Sequence, residues 1–253
     1  MNTLLKKIKW LSCLLTTYIF FSSYLPIHHE KNKLAMEGFA VVELFTSEGC
    51  SSCPPADEAV GRLNGLKKNV YLLSFHVDYW NDLGWKDIYS NAAYSRRQQE
   101  YGNIFHLNSI YTPQIIVNGK TQFVGSDETR LKETIGESLK EIPKAEIQLK
   151  VMQANENKIP VSCATADSGD FKLNIALVRH TATDFVQRGE NKGKTLKHYD
   201  IVLDFKVISN RKSGDIYYLK LPLDLHVSDC EVIAFLQNSK SGEIIAATRS
   251  SIP

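Results

Sequence analysis

Phe45-Thr46-Ser47-Glu48-Gly49-Cys50-Ser51-Ser52-Cys53-Pro54-Pro55 is the stretch on which the reading of this chain turns. A strand-like run, Phe39 to Phe45, leads into it, and a helix-like run, Asp57 to Leu66, follows. Strand, Cys-x-x-Cys and helix in that order point to a redox dithiol. If Cys50 stands at the mouth of the helix, unpaired backbone N–H groups face its sulfur and favour the thiolate, the reacting species. Cys50 is then expected to be the exposed sulfur, and Cys53, one turn later and more shielded, is placed to resolve a mixed disulfide. The same spacing also serves as half of a zinc site or as an inert structural disulfide. Zinc wants four ligands, and Cys13, Cys163 and Cys230 form no second close pair, so a metal would have to recruit His76 or Asp78.

Outward from this stretch the elements alternate. Val70–Val77 is an apolar strand, and an aromatic segment, His76 to Asp87, follows it. Ile88–Tyr101 has a helical pattern. Gln114–Val117 and Gln122–Val124 flank Asn118-Gly119, a hairpin signal because both residues tolerate positive φ. Ser126 or Asp127 can cap a last helix that runs to about Lys140. The order is β-α-β-α-β-β-α, an α/β unit over residues 38–141 with a small mixed sheet covered by helices. Ile142-Pro143 breaks the pattern. Seven short strand candidates fill residues 144–253: Glu146–Gln153, Ile159–Ala164, Phe171–Arg179, Ile201–Ile208, Ile216–Leu221, Glu231–Leu236 and Ile244–Thr248. They predict a second, β-sandwich-like domain.

The 253 residues, 43% of them hydrophobic, suffice for one large or two modest cores. Lys6, Lys7 and Lys9 precede an apolar run from Trp10 to about Leu25, so residues 1–25 read as an export signal. No clean small-x-small cleavage site follows, and an uncleaved membrane anchor fits the same segment. The expected location is periplasmic or extracellular. The formal net charge of +2 becomes −1 once those three lysines are removed. A nearly neutral body without a basic cluster argues against nucleic acid as a partner. Four of the five cysteines lie outside the signal, and an oxidising compartment permits them to work or to cross-link.

Several segments together resemble the DUF1223 family of secreted, thioredoxin-like proteins. They are Glu43 to Asp57, Ser74 to Trp80, Leu83 to Asp87, Tyr111-Thr112-Pro113-Gln114 and Val124-Gly125-Ser126-Asp127. In the second half they are Arg188-Gly189-Glu190-Asn191, Leu196 and His198. The resemblance spans residues 38–250. It implies a thioredoxin-like domain with a β-rich partner domain and names no substrate. In the wider thioredoxin superfamily a cis-proline loop faces the Cys-x-x-Cys pair, and Thr112-Pro113 matches that position. Backbone beside such a proline can pair with an extended substrate. A proline that merely begins a strand is the plain alternative. Ser51-Ser52 stands where thioredoxin itself has Gly-Pro.

Asp78 and His76 close the central strand. Asp78 is a candidate to position a water or proton during resolution at Cys53, and His76 a second proton carrier. Anchoring of the aromatic loop explains both equally simply. Tyr79, Trp80 and Trp85 either shape a peptide groove or pack over the sheet edge. Cys163 and Cys230 either bond or stay as buried thiols. Arg188, Glu190 and His198 either line a site or brace a loop. The resulting expectation is an exported thiol–disulfide oxidoreductase or redox carrier acting on protein thiols or disulfides. Cys50 and Cys53 do the exchange, Thr112, Pro113 and Asp78 assist, and no cofactor is needed. The alternatives are Cu(I) handling through Cys50, Cys53 and His76, and a binding module with a static disulfide.

Overall fold

The structure, a computed structural model, describes residues 37–63, 68–165, 169–212 and 214–253. The expected export segment lies outside these residues. So does the expected end of the first helix at Leu66. Among the described residues no helix is long and apolar enough to cross a membrane.

The protein is a mixed α/β molecule. Its strands are β1 (Ala40–Thr46), β2 (Val70–His76), β3 (Gln114–Val117), β4 (Thr121–Val124), β5 (Ile147–Val151) and β6 (Lys158–Thr165). The series continues with β7 (Phe171–Phe185), β8 (Thr195–Ile208), β9 (Ile216–Lys220), β10 (Cys230–Asn238) and β11 (Ile244–Ser251). The helices are α1 (Pro54–Gly61), α2 (Ala92–Ile104) and α3 (Glu128–Ser138). Asn91 caps α2 by accepting from the Ala93 N–H, and Asp127 caps α3 by accepting from Arg130. Asn118 and Gly119, with φ of 50° and 63°, make the β3–β4 turn expected of that dipeptide.

Eight strands form one sheet, ordered β11-β10-β7-β8-β2-β1-β3-β4, and β5-β6-β9 form a second. β1 and β2 are parallel, and β3 and β4 run antiparallel beside β1. β8 joins β2 in parallel through Ser74 and Ile201. Four strands from the second half of the chain therefore extend the sheet begun by the first half. Residues 36–253 cluster as one compact unit. Beyond Ile142-Pro143 the chain enters β5 of the second sheet before β7 returns it to the first.

Side chains alternate across a strand, so each buried strand feeds two cores. On β1, Val42 and Leu44 face α1 and α3, packing with Ala56, Val60, Leu131 and Ile135. Val41 and Phe45 face the other side, where Tyr94 and Tyr101 of α2 cover Phe75, Val178 and Phe235. On β10, Val232, Ala234 and Leu236 pack against Ile159, Val161 and Leu219 of the small sheet. Burying aliphatic and aromatic side chains in this way stabilises the fold by roughly 1.5–3 kcal/mol each. Glu43 interrupts the apolar alternation on the α2 side. Its carboxylate takes two hydrogen bonds from Arg97 of α2, at 2.5 and 3.0 Å, and one from the Tyr101 hydroxyl at 2.5 Å. Gln237 of β10 accepts from the same guanidinium at 3.2 Å, so the network ties three elements together.

β7 and β8 are longer than the apolar pattern predicts. Their extension, residues 180–185 paired with 195–200, is rich in polar residues, with Ala182 opposite His198 and Asp184 opposite Leu196. The hairpin tip that it carries reaches the Cys-x-x-Cys loop.

Candidate functional site

Cys50 and Cys53 are joined in a disulfide with Cα atoms 5.4 Å apart. The turn is closed by the Cys53 N–H donating to the Cys50 carbonyl at 3.2 Å. Cys53 is the N-cap of α1, and Pro54 and Pro55 are its first residues. Proline suits this place because it lacks the N–H that a helix start cannot use. That local chemistry corrects one expectation. The prolines have no N–H, and the next two, from Ala56 and Asp57, both donate to the Cys53 carbonyl at 2.9 and 3.1 Å. The helix start thus has no unpaired N–H to aim at the Cys50 sulfur. Ser52 stands there instead, with Oγ 3.4 Å from Cys50 Sγ.

A second correction concerns exposure. Cys50, expected as the accessible sulfur, is fully buried, as is Cys53, although Ser51 and Ser52 between them are exposed. The cover comes from the β7–β8 hairpin tip. The buried Asn191 amide donates to the carbonyls of Glu48 and Cys50, both at 2.9 Å. A Glu190 carboxylate oxygen accepts the Ser51 N–H at 3.0 Å. Hydrogen bonds from Ser51 hold the Glu190 carboxyl below its ordinary range. Gly189 has φ of +73°, and a side-chain carbon there would come within 3.1 Å of Trp85 Cβ. Glycine is what lets the tip turn against that indole.

Trp80 covers another side. Its Cβ lies so close to Gly49 that a side chain there would meet it at 3.0 Å, and its indole N–H donates to Thr112 Oγ1 at 2.8 Å. It bridges the cysteine loop and the Thr112–Pro113 loop. The Thr112–Pro113 peptide is cis. The Pro113 carbonyl accepts from Gly125 at 2.8 Å. Pro113 and Ala56 of α1 both press on Gly125, each 3.0 Å from where its Cβ would be. The loop and the start of α1 are therefore neighbours.

Asp78 and His76 are placed as anchors. Asp78 accepts from Ser95 of α2 through its carboxylate, at 2.5 Å, and its own N–H donates to the same hydroxyl oxygen at 3.0 Å. His76 Nδ1 lies 2.7 Å from Asp87 Oδ2, and both side chains are fully buried. Burial alone would raise the Asp87 carboxyl. The His76 ring and the N–H groups of Glu48 and Tyr89 bring it below its usual range. Cys163 and Cys230 are free thiols, and burial pushes each up to about 11.

Beneath the disulfide loop lies a group of ionisable residues, all buried except the half-buried Asp184, that sequence reasoning did not assemble. Glu48 belongs to the loop, Asp57 to α1, and His198 and Asp184 to the extended hairpin. His198 Nε2 is 3.5 Å from Glu48 Oε1, and Nδ1 is 4.0 Å from Asp57 Oδ1. Burial opposes a charge on His198, but the two carboxylates outweigh it and push the imidazole up to about 10. Trp85 donates to Glu48 Oε2 at 2.6 Å, Thr46 to Asp57 Oδ2 at 3.1 Å and Tyr89 to Asp184 Oδ2 at 2.8 Å. His198 was in view in the sequence as one of several loop-bracing candidates. Nothing in the spacing of residues 48, 57, 184 and 198 signals their convergence, since the hairpin brings it about.

The comparisons with known proteins agree with this architecture. A crystal structure of a protein from Agrobacterium tumefaciens matches with a TM-score of 0.61 and 30% sequence identity, covering 83% of this chain and 92% of that one. A domain of the outer membrane lipoprotein Omp28 from Porphyromonas gingivalis matches at 14% identity and a TM-score of 0.27, over 44% of this chain and 90% of that one, too low to carry an argument. Among curated proteins none matches. Residues 41–237, from the first strand to the end of β10, match the family described as "Protein of unknown function (DUF1223)", and the chain belongs to that family.

Proposed function

We propose that this protein is an exported thiol–disulfide exchange protein whose working group is the Cys50–Cys53 pair, set in a thioredoxin-like unit. The observation that carries the reading is the disulfide at the start of α1, beside the cis Thr112–Pro113 loop. The order β2-β1-β3-β4, with that proline just before β3, supports the thioredoxin-like description. A partner's thiolate attacks one sulfur of the oxidised pair, and the other leaves as a thiolate. A second partner thiol then displaces the bound cysteine. The partner loses two electrons and forms a disulfide, and the pair becomes a dithiol. Run in reverse, the same steps reduce a partner disulfide. Cys50 forms the mixed disulfide, because Cys53 is tied into the α1 cap. No organic cofactor takes part, and the partner is a protein thiol or disulfide met outside the cytoplasm.

Burial of both sulfurs favours a second reading, a static staple in a binding module. Two measurements separate them. A structural disulfide has a reduction potential below about −300 mV, whereas an exchanging one lies above it. In the export compartment, folded Cys53→Ala should accumulate mixed disulfides through Cys50, and Cys50→Ala should capture little. A potential in the structural range, together with an empty Cys53→Ala trap, refutes the exchange reading and leaves the staple.

A further inference from the structure

We infer that Glu48, Asp184 and His198 form a binding site for one divalent first-row transition ion, held by an imidazole nitrogen and two carboxylate oxygens. The site is independent of the cysteine chemistry proposed above. One donor atom from each of the three residues lies within 4.8 Å of the other two. Ligands about 2.0–2.2 Å from a shared ion at tetrahedral angles stand roughly 3.4 Å apart. The Glu48 Oε1 to His198 Nε2 separation is 3.5 Å. With the imidazole protonated this contact is an ion pair, but its geometry makes no hydrogen bond, and each atom is buried without a hydrogen-bond partner. Such orphans are rare, because a buried polar atom left unpaired costs about 1–3 kcal/mol.

The orphans are also concentrated here. Among the described residues, Glu48 Oε1, Asp57 Oδ1 and both ring nitrogens of His198 are four buried atoms without a hydrogen-bond partner. A fifth, His76 Nε2, belongs to a ring whose centroid is 5.0 Å from that of His198. An ion at His198 Nε2 satisfies two of these atoms at once and sets the ring so that Nδ1–H points to Asp57, the carboxylate–histidine–metal arrangement. The carboxylates are already oriented. Trp85 occupies Glu48 Oε2 and Tyr89 occupies Asp184 Oδ2, which leaves one oxygen of each for the ion. Arg179 donates to the Tyr89 hydroxyl at 3.5 Å, beside the Asp184 oxygen that Tyr89 occupies. The ion displaces the proton that His198 otherwise holds between the carboxylates, and two carboxylates and the resulting neutral imidazole balance its charge. Asp184 is half-buried, so the site borders solvent at that residue. A nitrogen and oxygen donor set suits Zn(II) or Mn(II) and is wrong for Cu(I).

The test uses full-length, chelator-stripped protein with the Cys50–Cys53 disulfide intact, so its sulfurs cannot serve as thiolate ligands. Calorimetric titration with Zn(II), and separately with Mn(II), should show one saturable site per chain. Asp184→Asn should weaken it at least about tenfold, as should His198→Gln. X-ray absorption of the zinc-loaded protein should show nitrogen and oxygen ligands without sulfur. Should His198→Gln fail to fold, the half-buried Asp184→Asn carries the test. Absence of saturable binding overturns the inference. So does undiminished affinity in folded Asp184→Asn, or a sulfur ligand to the ion.

Discussion

Asn191 is the hairpin-tip side chain that holds the backbone of the cysteine loop, and its removal is expected to ease access to the disulfide. Its amide holds two carbonyls of the cysteine loop, those of Glu48 and Cys50, each at 2.9 Å, while its own oxygen accepts from Lys194 at 3.0 Å. Asn191→Ala removes both donors: the Cys50 carbonyl keeps the Cys53 N–H, and the Glu48 carbonyl loses its side-chain donor. Orphaning such an acceptor costs about 1–3 kcal/mol in the closed state. The hairpin tip and the loop are then easier to separate, and the local opening constant rises. At about 1.4 kcal/mol per factor of ten, the expected gain is roughly 5- to 150-fold. Reduction by excess dithiothreitol reads this constant directly, because a small thiol reaches the buried sulfurs only in the open state. The assay follows alkylated Cys50 and Cys53 by mass against time, with the urea midpoint measured alongside. Equal or slower reduction in Asn191→Ala, at unchanged global stability, refutes the claim that the tip controls access.

Three further outcomes follow from the same contacts. Glu190 has a carboxyl depressed in the folded state, so its hold on Ser51 is complete above its ordinary value of 4.5 and is lost as pH falls through the lower folded value. Reduction by a phosphine that works in acid should therefore accelerate in that window for the wild type and stay flat for Glu190→Gln. A flat wild-type profile removes Glu190 from the strap. Arg97→Met strips Glu43 of a buried, bidentate partner and should cost about 3–5 kcal/mol in urea unfolding. The double variant Glu43→Leu/Arg97→Met should recover much of that loss, since no buried charge is then left unpaired; a double variant as weak as the single would place the cost in packing. Cys163→Ala should leave the kinetics of Cys50–Cys53 reduction unchanged, because Cys163 is a free thiol on β6. A change in those kinetics would show thiol exchange between the two sites.

Local signals in the chain were sufficient for much of the first half. The apolar run before Cys50, the Asn118-Gly119 turn and the Asp127 cap each depend on neighbours within a few residues, and the elements appear where those signals stand. Family membership was equally legible, because motifs such as Glu43 to Asp57 lie along the chain in order. The β7–β8 extension was not. Strand prediction relies on apolar alternation, and His180 to Phe185 and Thr195 to Asp200 are held instead by pairing with each other and by what the tip touches.

The sequence by itself determined that a Cys-x-x-Cys pair follows a buried strand and precedes a proline-started helix, since those features rest on spacing, propensity and periodicity. Only the tertiary structure decided that both sulfurs are covered and that the two halves of the chain share one sheet. It alone decided that Glu48, Asp57, Asp184 and His198 meet beneath the loop. The physical reason is sequence separation. Asn191 lies 141 residues from the Cys50 carbonyl that it holds, and a contact over that distance is set by sheet register and hairpin length, which no local pattern records.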